Sequence, residues 1–247
     1  MFDYIEKSAF KSMHIAVFTG GLSPEPEKTL SYWNSVLPVD YIIAADSGLE
    51  TLIKYRDYFA DKNKTFEPNL ILGDMDSISS TKILERFNRS IIETSPAYKN
   101  LTDTEMALTK AHEKDNSKNV FITLVGGAGG RIDHFLGIYD LFSTSIRPSV
   151  WLTDTQALWY APKKSVFQIS NVSLKDMISI SRVNGARHGG KIISNGFEWE
   201  SDKFRRIGMP SISNRIATKN NGGKITLEIK HGNFIVILPL TAVIQLL

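Results

Sequence analysis

Hydrophobic residues in the first 150 positions occur in short runs that alternate with amphipathic stretches. The runs HIAVFTG, YIIAAD, NLILGD, SIIET, NVFITLVGG and SVWLTD have the length and β-branched composition of buried strands. The stretches near 24–36, 47–58, 79–88, 102–114 and 132–144 have the features of the intervening helices. This alternation predicts an α/β fold: a Rossmann-like, largely parallel sheet with flanking helices.

After Leu152 the pattern changes to short alternating stretches separated by Gly, Asn and Ser. The stretches are ALWYA, SVFQIS, MISISRV, GKIISNGFEW, GKITLEIK and NFIVILPL. They predict an all-β second domain, with hairpin turns near Asn184-Gly185, Asn195-Gly196, Asn221-Gly222 and His231-Gly232. We therefore predict an α/β domain over 1–152 and an all-β domain over 153–247.

Composition narrows the class of protein. The chain has 247 residues and a formal net charge of +3, with 42% hydrophobic and 22% charged residues, which is typical of a folded protein. The charge is too small to indicate a nucleic-acid or membrane surface. The absence of cysteine excludes disulfides and thiolate chemistry. The N-terminus lacks the pattern of a signal peptide, and no apolar run has the length of a membrane span, so we expect a soluble cytoplasmic protein.

Aspartates stand at the ends of the predicted strands. Asp46 ends YIIAAD, Asp74 and Asp76 follow NLILG, Asp103 opens a helix, and Asp133 follows a glycine-rich turn. Ligands of open parallel sheets bind beyond the carboxyl ends of the strands, so we expect these five acids to share one crevice. Crowded carboxylates repel one another unless a cation is bound, and oxygen ligands of this kind suit magnesium.

Helix capping is the alternative explanation for part of this pattern. Ser47-x-x-Glu50 and Thr102-x-x-Glu105 both have the spacing of a capping box at a helix start. Asp103 is favoured in a first helical turn by the helix dipole even without a metal. A structural role and a ligand role therefore both stay open for this residue.

A glycine-rich segment, 126–130, lies between a strand and a helix and is followed by Arg131. Bare backbone amides there suit a phosphate group, and a guanidinium adds a planar pair of donors. The segment lacks both the ending of a Walker P-loop and the ribose-binding acid of dinucleotide enzymes. His134 is either a catalytic residue or, more commonly at a helix start, a packed or capping residue.

Six short blocks, in this order, resemble the thiamine pyrophosphokinase family. They are AADSG at 44–48, GDMDS at 73–77, TDTEMAL at 102–108, GGRIDH at 129–134, SNGFEW at 194–199 and SISN at 211–214. The resemblance spans most of the chain. It implies an N-terminal α/β domain, a C-terminal β-sandwich, a homodimer, and active sites at the dimer interface.

The resemblance also implies a function and a set of site residues. The function is the transfer of pyrophosphate from ATP to the thiamine hydroxyl, which gives thiamine diphosphate and AMP, with magnesium bound to Asp46, Asp74, Asp76 and Asp103. Four of the implied residues, Asp74, Asp76, Asp103 and Arg131, would be catalytic. The residues that would bind ATP or thiamine are Asp46, Lys99, Thr102, Arg131, Asp133, Trp199, Ser211, Ser213 and Asn214.

Two positions depart from the family pattern, and they bear on the metal ligands. The common AADGG has Ser47 at its fourth position, and the bacterial Lys-Asp-x-Thr-Asp has Asn100 at its second. Ser47 places a side chain where a backbone approaches closely, and Asn100 removes one carboxylate.

Two other functions fit parts of the sequence. Asp74-Met75-Asp76 has the Asp-x-Asp form with which nucleotide-sugar glycosyltransferases hold a metal and a diphosphate. A nucleotide- or thiamine-binding module without turnover would tolerate the Ser47 and Asn100 departures. Within the pyrophosphokinase hypothesis, Trp199 offers an aromatic face to the thiazolium charge, worth about 0.5–2 kcal/mol. Asp74 is a candidate to accept the proton of the hydroxyl.

Overall fold

The computed structural model describes residues 12–36, 38–62, 65–96, 100–115, 120–183 and 189–247. In its first half, strands and helices alternate as the hydrophobic pattern predicts. The strands are β1 (Met13–Phe18), β2 (Tyr41–Ala45), β3 (Leu70–Gly73), β4 (Ile92–Thr94), β5 (Val120–Val125) and β6 (Val150–Leu152). The α-helices are α1 (Leu30–Ser35), α2 (Gly48–Phe59), α3 (Asp103–Glu113) and α4 (Ile132–Leu141).

These six strands pair in the order β4-β3-β2-β1-β5-β6, and every pairing among them is parallel. The central strand β1 is buried along almost its whole length, because helices cover both faces of a parallel sheet. The strand order reverses between β1 and β5. Such a reversal opens a crevice at the carboxyl ends of the strands, where α/β proteins bind ligands.

Two predicted helices are shorter or tighter than expected. The segment near 24–36 divides into a 3₁₀ turn, Pro26–Thr29, and the six-residue α1. The segment near 79–88 contains only a 3₁₀ turn, Thr81–Arg86. Short segments gain few helical hydrogen bonds for the cost of nucleation, so an apolar period alone does not produce an α-helix there.

Consecutive strands of the second half alternate between two sheets. The strands β7 (Gln156–Ala161), β9 (Ile178–Arg182), β11 (Ser211–Asn214) and β13 (Phe234–Pro239) extend the first sheet to ten strands. The strands β8 (Ser165–Ser170), β10 (Lys191–Asn195), β12 (Ile225–His231) and β14 (Val243–Leu246) form a separate antiparallel sheet. The chain thus combines a large mixed sheet, parallel in its first half, with a smaller antiparallel one.

The predicted hairpins are wrong wherever the structure describes them. The turns at 195–196, 221–222 and 231–232 each lie between strands of different sheets, so none of them joins a paired hairpin. The physical reason is that apolar alternation is the same in both sheets and does not specify the partner of a strand. The predicted turn at 184–185 lies outside the described residues.

The two sheets share one buried apolar cluster. Phe167 and Ile169 of β8 and Leu227 of β12 lie in the same cluster as Ile180 of β9 and Val236 of β13. Near the predicted domain boundary, β6 pairs in parallel with β5 and antiparallel with β7, so the large sheet continues past Leu152. The division at 152/153 stays a prediction. None of the described helices is both long and apolar enough to span a bilayer.

Candidate functional site

Three carboxylates meet at the carboxyl edge of the parallel sheet. Asp46 follows β2, Asp74 follows β3, and Asp103 is the first residue of α3. Each offers an oxygen atom, and these three atoms lie within 4.8 Å of one another. The sequence predicted that these residues share one edge, and the fold brings them together because parallel strands end on the same side.

Asp46 is the most constrained member of this group. Its backbone is in the left-handed region, with φ of 48°, and its side chain is only 9% exposed. Burial raises the pKa of its carboxyl group, and the charges of Asp103 and Asp74 raise it further, whereas hydrogen bonds from Ser47 and Ser77 act in the opposite direction. The Oδ1 atom of Asp46 is buried and has no hydrogen-bond partner among the described residues.

Asp76 lies in the same cavity but outside the three-carboxylate group. Its Oδ1 atom accepts a hydrogen bond of 2.9 Å from the Ser77 hydroxyl, and its backbone N–H donates to Asp74 Oδ1 at 3.3 Å. Met75 between the two acids has φ of 63°, so the chain turns sharply there. This turn separates the two carboxylates, although their sequence spacing suggests a pair.

The expectation that five acids share the crevice is wrong for Asp133, which does not line it. Arg131 Nε donates to Asp133 Oδ1 at 3.2 Å, and Arg131 Nη2 donates to Asp133 Oδ2 at 2.5 Å. This bidentate pair is exposed, and it lowers the pKa of the Asp133 carboxyl group. Arg131 lines the cavity and Asp133 does not. The ion pair with Arg131 holds the Asp133 carboxylate at the exposed surface.

Two crossing loops that line the cavity include residues that sequence reasoning missed. Thr19, Gly20 and Gly21 follow β1, and their backbone pairs with the loop that follows β5. Gly127 N donates to Gly20 O at 2.8 Å, and Leu22 and Ala128 exchange two backbone hydrogen bonds of 2.6 and 3.1 Å. A glycine pair directly after the first strand was the signal that would have predicted this contact.

Close approach explains the glycines in these loops. Gly126 has φ of 97°, and a Cβ atom there would lie 2.4 Å from the carbonyl oxygen of Thr19. Only glycine combines this backbone conformation with this contact. The Thr19 hydroxyl in turn shares a 2.6 Å hydrogen bond with the Thr104 hydroxyl, which ties the crossing loops to the first turn of α3.

One of the two predicted capping boxes is present. Thr102 Oγ1 accepts from Glu105 N at 3.2 Å, and Glu105 Oε2 accepts from Thr102 N at 2.7 Å, so Thr102 has a structural role at the start of α3. Ser47 makes no such side-chain bond. Glu50 accepts instead from the backbone N–H and the hydroxyl of Ser79, at 2.7 and 2.6 Å, and so fastens the segment that follows Asp76.

The acid cavity, as we call this space, has a volume of about 590 Å³ and lies at the point where the strand order reverses. The acids, the crossing loops and Arg131 all line it. Its lining residues include Thr19, Gly20, Gly21, Asp46, Ser47, Asp74, Asp76, Asn100, Thr102, Asp103, Gly127, Ala128, Arg131 and His134. Lys99, assigned to the phosphates by resemblance, lies outside the described residues.

The residues that the resemblance assigns to thiamine lie elsewhere on the chain. Trp199 is 50% exposed, whereas Asn214 is buried and its amide donates to Trp199 O at 2.8 Å. Ser211 is buried, and Ser213 is exposed with φ of 55°. None of these four side chains lines the acid cavity. Asn214 therefore has a visible structural role, which is to hold the backbone that presents the Trp199 ring.

Arg215 is a second residue that the sequence did not single out. Its guanidinium carbon lies 6.0 Å from the centre of the Trp199 ring. Its Nε atom is buried and has no hydrogen-bond partner among the residues that the structure describes. An arginine directly after the SISN block was the only available signal, and it is a weak one.

Comparison with known proteins gives a family-model match over part of the chain and a likeness in fold. Residues 31–150 match the family described as thiamin pyrophosphokinase, catalytic domain. No curated protein matches the chain significantly. The structure resembles a thiamine pyrophosphokinase from Bacillus subtilis with a TM-score of 0.64 and 22% identity, over 92% of this chain and 98% of the other.

Two fungal structures give similar results. Thiamin pyrophosphokinase from Candida albicans has a TM-score of 0.62 and 16% identity, over 92% of this chain and 89% of its own. The yeast enzyme has a TM-score of 0.60 and 16% identity, over 93% and 87%. At these identities the likeness establishes the fold alone, and both halves of the chain take part in it.

Proposed function

Residues 31–150 match the family described as thiamin pyrophosphokinase, catalytic domain, and from this match we propose that the chain transfers pyrophosphate from ATP to thiamine. The observation that carries the proposal is the convergence of oxygen atoms of Asp46, Asp74 and Asp103 within 4.8 Å, in a cavity that glycine loops and an arginine also line. Acids suit the metal of a nucleotide complex, and bare amides with a guanidinium suit its phosphates. The products are thiamine diphosphate and AMP.

The acid group fits a magnesium ion. Three carboxylates this close repel one another. The Oδ1 atom of Asp46 is buried without a hydrogen-bond donor among the described residues, and a cation would supply the missing interaction. Hard oxygen ligands are those that magnesium prefers. Asp46, Asp74 and Asp103 would hold the ion, and Asp76 sits beside them as a further acid. Bound magnesium would neutralise charge on the ATP phosphates.

Other residues of the cavity lining supply donors for the phosphates. Gly20, Gly21, Gly129 and Gly130 line the cavity together with Arg131, whereas the amides of Gly127 and Ala128 donate within the loop crossing. In the structure, Arg131 forms an ion pair with Asp133 at the surface. Phosphate oxygens accept the same bidentate geometry as a carboxylate, so ATP competes with Asp133 for this arginine. Asp133 thus orients Arg131 before the nucleotide arrives.

The reaction is an in-line displacement at the β-phosphorus of ATP. The thiamine hydroxyl oxygen forms the new bond to this phosphorus, and the bond from the phosphorus to the α-phosphate oxygen breaks, so AMP leaves. The hydroxyl proton moves to a nearby carboxylate, for which Asp74 is the candidate. The chain contributes mainly by positioning the reactants and neutralising their charge.

Thiamine is bound by the second half of the chain in this proposal. Trp199 presents an exposed ring to the thiazolium, and Ser211, Ser213 and Asn214 shape its surroundings. These residues do not line the acid cavity of their own chain. A homodimer with sites between protomers brings the acids of one copy to the Trp199 of its partner.

The two alternative functions are distinguished from the proposed one in different ways. An Asp-x-Asp glycosyltransferase has less support, because Asp76 lies outside the three-carboxylate group here. A nucleotide-binding module without turnover would use the same acids and glycine loops, so a turnover measurement separates it from the proposed enzyme.

Turnover is the experiment that tests the proposal. The purified protein is incubated with ATP, magnesium chloride and thiamine, and thiamine diphosphate is separated and quantified. We expect product only when all three are present. Replacing thiamine by a nucleotide sugar and an acceptor sugar tests the glycosyltransferase alternative. If ATP and thiamine bind but no thiamine diphosphate forms, the chain is a binding module and the proposal is wrong.

A further inference from the structure

A second cavity, the basic pocket, lies in the other half of the molecule. It has a volume of about 380 Å³ and is formed by β9, β10, the 3₁₀ turn Ser201–Lys203, the segment 204–210 and the start of β13. Four of its lining side chains are cationic: Arg182, Lys191, Arg205 and Arg206. It shares no lining residue with the acid cavity, and it includes none of the residues assigned to thiamine.

The positive charge of this pocket is not balanced within the described chain. No ion pair joins any of the four cations to a carboxylate among the residues that the structure describes. The one acid in the lining, Asp202, is 3.6 Å from Lys203, which is not itself in the lining. Four cations that share a concave surface repel one another and attract a counter-charge.

Arg182 builds the pocket. Its Nε atom donates to Gly189 O at 3.3 Å, its Nη2 atom donates to Arg205 O at 3.0 Å, and its Nη1 atom donates to Gly208 O. One half-buried guanidinium therefore joins two loops and fixes the walls of the pocket before any ligand binds. These three acceptors are neutral, so the charge of Arg182 still acts on the interior.

The floor of the pocket is apolar. Ile192 and Phe234 are buried there, and Phe204 is half-buried and packs its ring against Phe197 at 6.4 Å. An apolar floor below a cationic rim suits a small organic molecule with an anionic group, because each part of the ligand meets a matching surface. A long polyanion would need an extended basic surface instead of a pocket of this volume.

From these features we propose that the basic pocket binds a small phosphorylated organic molecule, at a site separate from the acid cavity. The exposed forks of Arg205 and Arg206 match the oxygens of a phosphate or diphosphate group, and Lys191 lines the same pocket as a third cation. The organic part lies on Phe204 and Ile193, the apolar lining side chains that are accessible. The inference does not depend on the reaction proposed for the acid cavity.

Calorimetric titration of the full chain with inorganic diphosphate, in excess EDTA, tests the charge of the pocket. The variant Arg205→Gln/Arg206→Gln keeps the backbone carbonyl that Arg182 uses, so its fold should survive. We expect its dissociation constant to rise by at least about tenfold. The matched control Lys163→Gln/Lys219→Gln removes two exposed cations of the same half and should stay within about twofold. Circular dichroism confirms that both variants are folded.

Two further arms identify the ligand class. Phenyl phosphate and methyl phosphate carry the same charge, and we expect the phenyl ester to bind at least about threefold more tightly because its ring contacts the floor. An equal loss of diphosphate affinity in both double variants would overturn the proposal. The absence of diphosphate binding by the wild type up to about 10 mM would do so as well. Equal binding of the two esters contradicts the organic ligand. Tighter binding of a single-stranded oligonucleotide through the same arginines would assign the pocket to nucleic acid instead.

Discussion

The carboxyl group of Asp46 is buried, near two other carboxylates, and on a backbone in the left-handed region. Aspartate tolerates this backbone conformation better than most residues, but its burial without a partner for Oδ1 disfavours the charged form. A residue of this kind costs stability in the free protein. The cost is consistent with a role in binding a cation.

The pKa of Asp46 predicts a pH-dependent effect on stability. Because folding raises this pKa above 3.8, the native state binds more protons than the unfolded chain just above that pH. The free energy of unfolding therefore falls as pH rises from 3.8 through the raised folded-state pKa. We expect metal-free Asp46→Asn to be more stable than wild type at neutral pH, with a gain that disappears toward pH 3.8.

Urea unfolding at a series of pH values, in EDTA, measures this gain. Magnesium provides the control, since it should stabilise the wild type and have little effect on Asp46→Asn. A gain that grows as the pH falls would contradict the assignment of the raised pKa to burial.

Asp74 should be required for turnover rather than for folding. Its side chain contributes to the three-carboxylate group and lies in an open cavity. We expect Asp74→Asn to lose about a hundredfold or more in kcat, as other charge-stabilising groups do, with a melting temperature that does not fall. Asp57→Asn is the matched control, since Asp57 is an exposed acid that pairs with Arg56 on α2. Near-normal turnover of Asp74→Asn at low magnesium would place the metal elsewhere.

Strand-end position was enough to predict Asp46 and Asp74, because the direction of a parallel strand fixes the edge at which its last residue lies, and the start of α3 brings Asp103 to the same edge. It was not enough for Asp76 and Asp133. The positive φ of Met75 and the fork of Arg131 decide where those two carboxylates lie. Local backbone conformation and pairing of this kind leave no trace in spacing or hydrophobicity.

At the scale of elements, the crossing loops depend on one conformation that only glycine adopts easily. A Cβ atom at Gly126 would lie 2.4 Å from Thr19 O, at φ of 97°. We expect Gly126→Ala to destabilise the fold by more than about 1 kcal/mol and to lower turnover as well. Thermal unfolding and steady-state rates measure both effects.

Gly137 is the matched control for this change. It lies in the interior of α4, and a Cβ atom there would contact nothing within 4 Å. Gly137→Ala should raise stability by about 0.5–1 kcal/mol, because alanine loses less backbone entropy in a helix. Similar destabilisation by both substitutions would show that the close contact at Gly126 is not what requires glycine.

The sequence predicted the type of most elements but not which strands pair with one another. The alternation of strands and helices before Leu152 follows from apolar periodicity, and the capping box at Thr102 follows from its spacing. The same spacing at Ser47 was misleading, since Glu50 bonds to Ser79 instead. Strand partners after Leu152 were also mispredicted, because period-two patterns are equal in both sheets. Tertiary contacts decide both cases.

At the scale of the whole molecule, the acids and Trp199 lie on different parts of a chain whose large sheet is continuous. If complete sites form between protomers, Asp74→Asn and strongly impaired Trp199→Ala chains should complement each other. Random refolding makes about half of the dimers hybrid, each with one intact site, so activity should recover to about a quarter of wild type.

Differently tagged chains confirm that hybrids have formed, and each variant refolded alone gives the baseline. Recovery is not expected if each chain builds its own site. Confirmed hybrids without any gain in activity would therefore reject the interface and leave the proposed reaction untouched.

The identity of the nucleotide product tests the central claim most directly. Attack at the β-phosphorus must release the α-phosphate with the nucleoside, so AMP and thiamine diphosphate form in equal amounts. The measurement is chromatographic quantification of AMP, ADP and thiamine diphosphate from one reaction with ATP, magnesium and thiamine. We predict a constant one-to-one ratio of AMP to thiamine diphosphate over the time course. ADP formed in step with a phosphorylated thiamine would contradict pyrophosphoryl transfer.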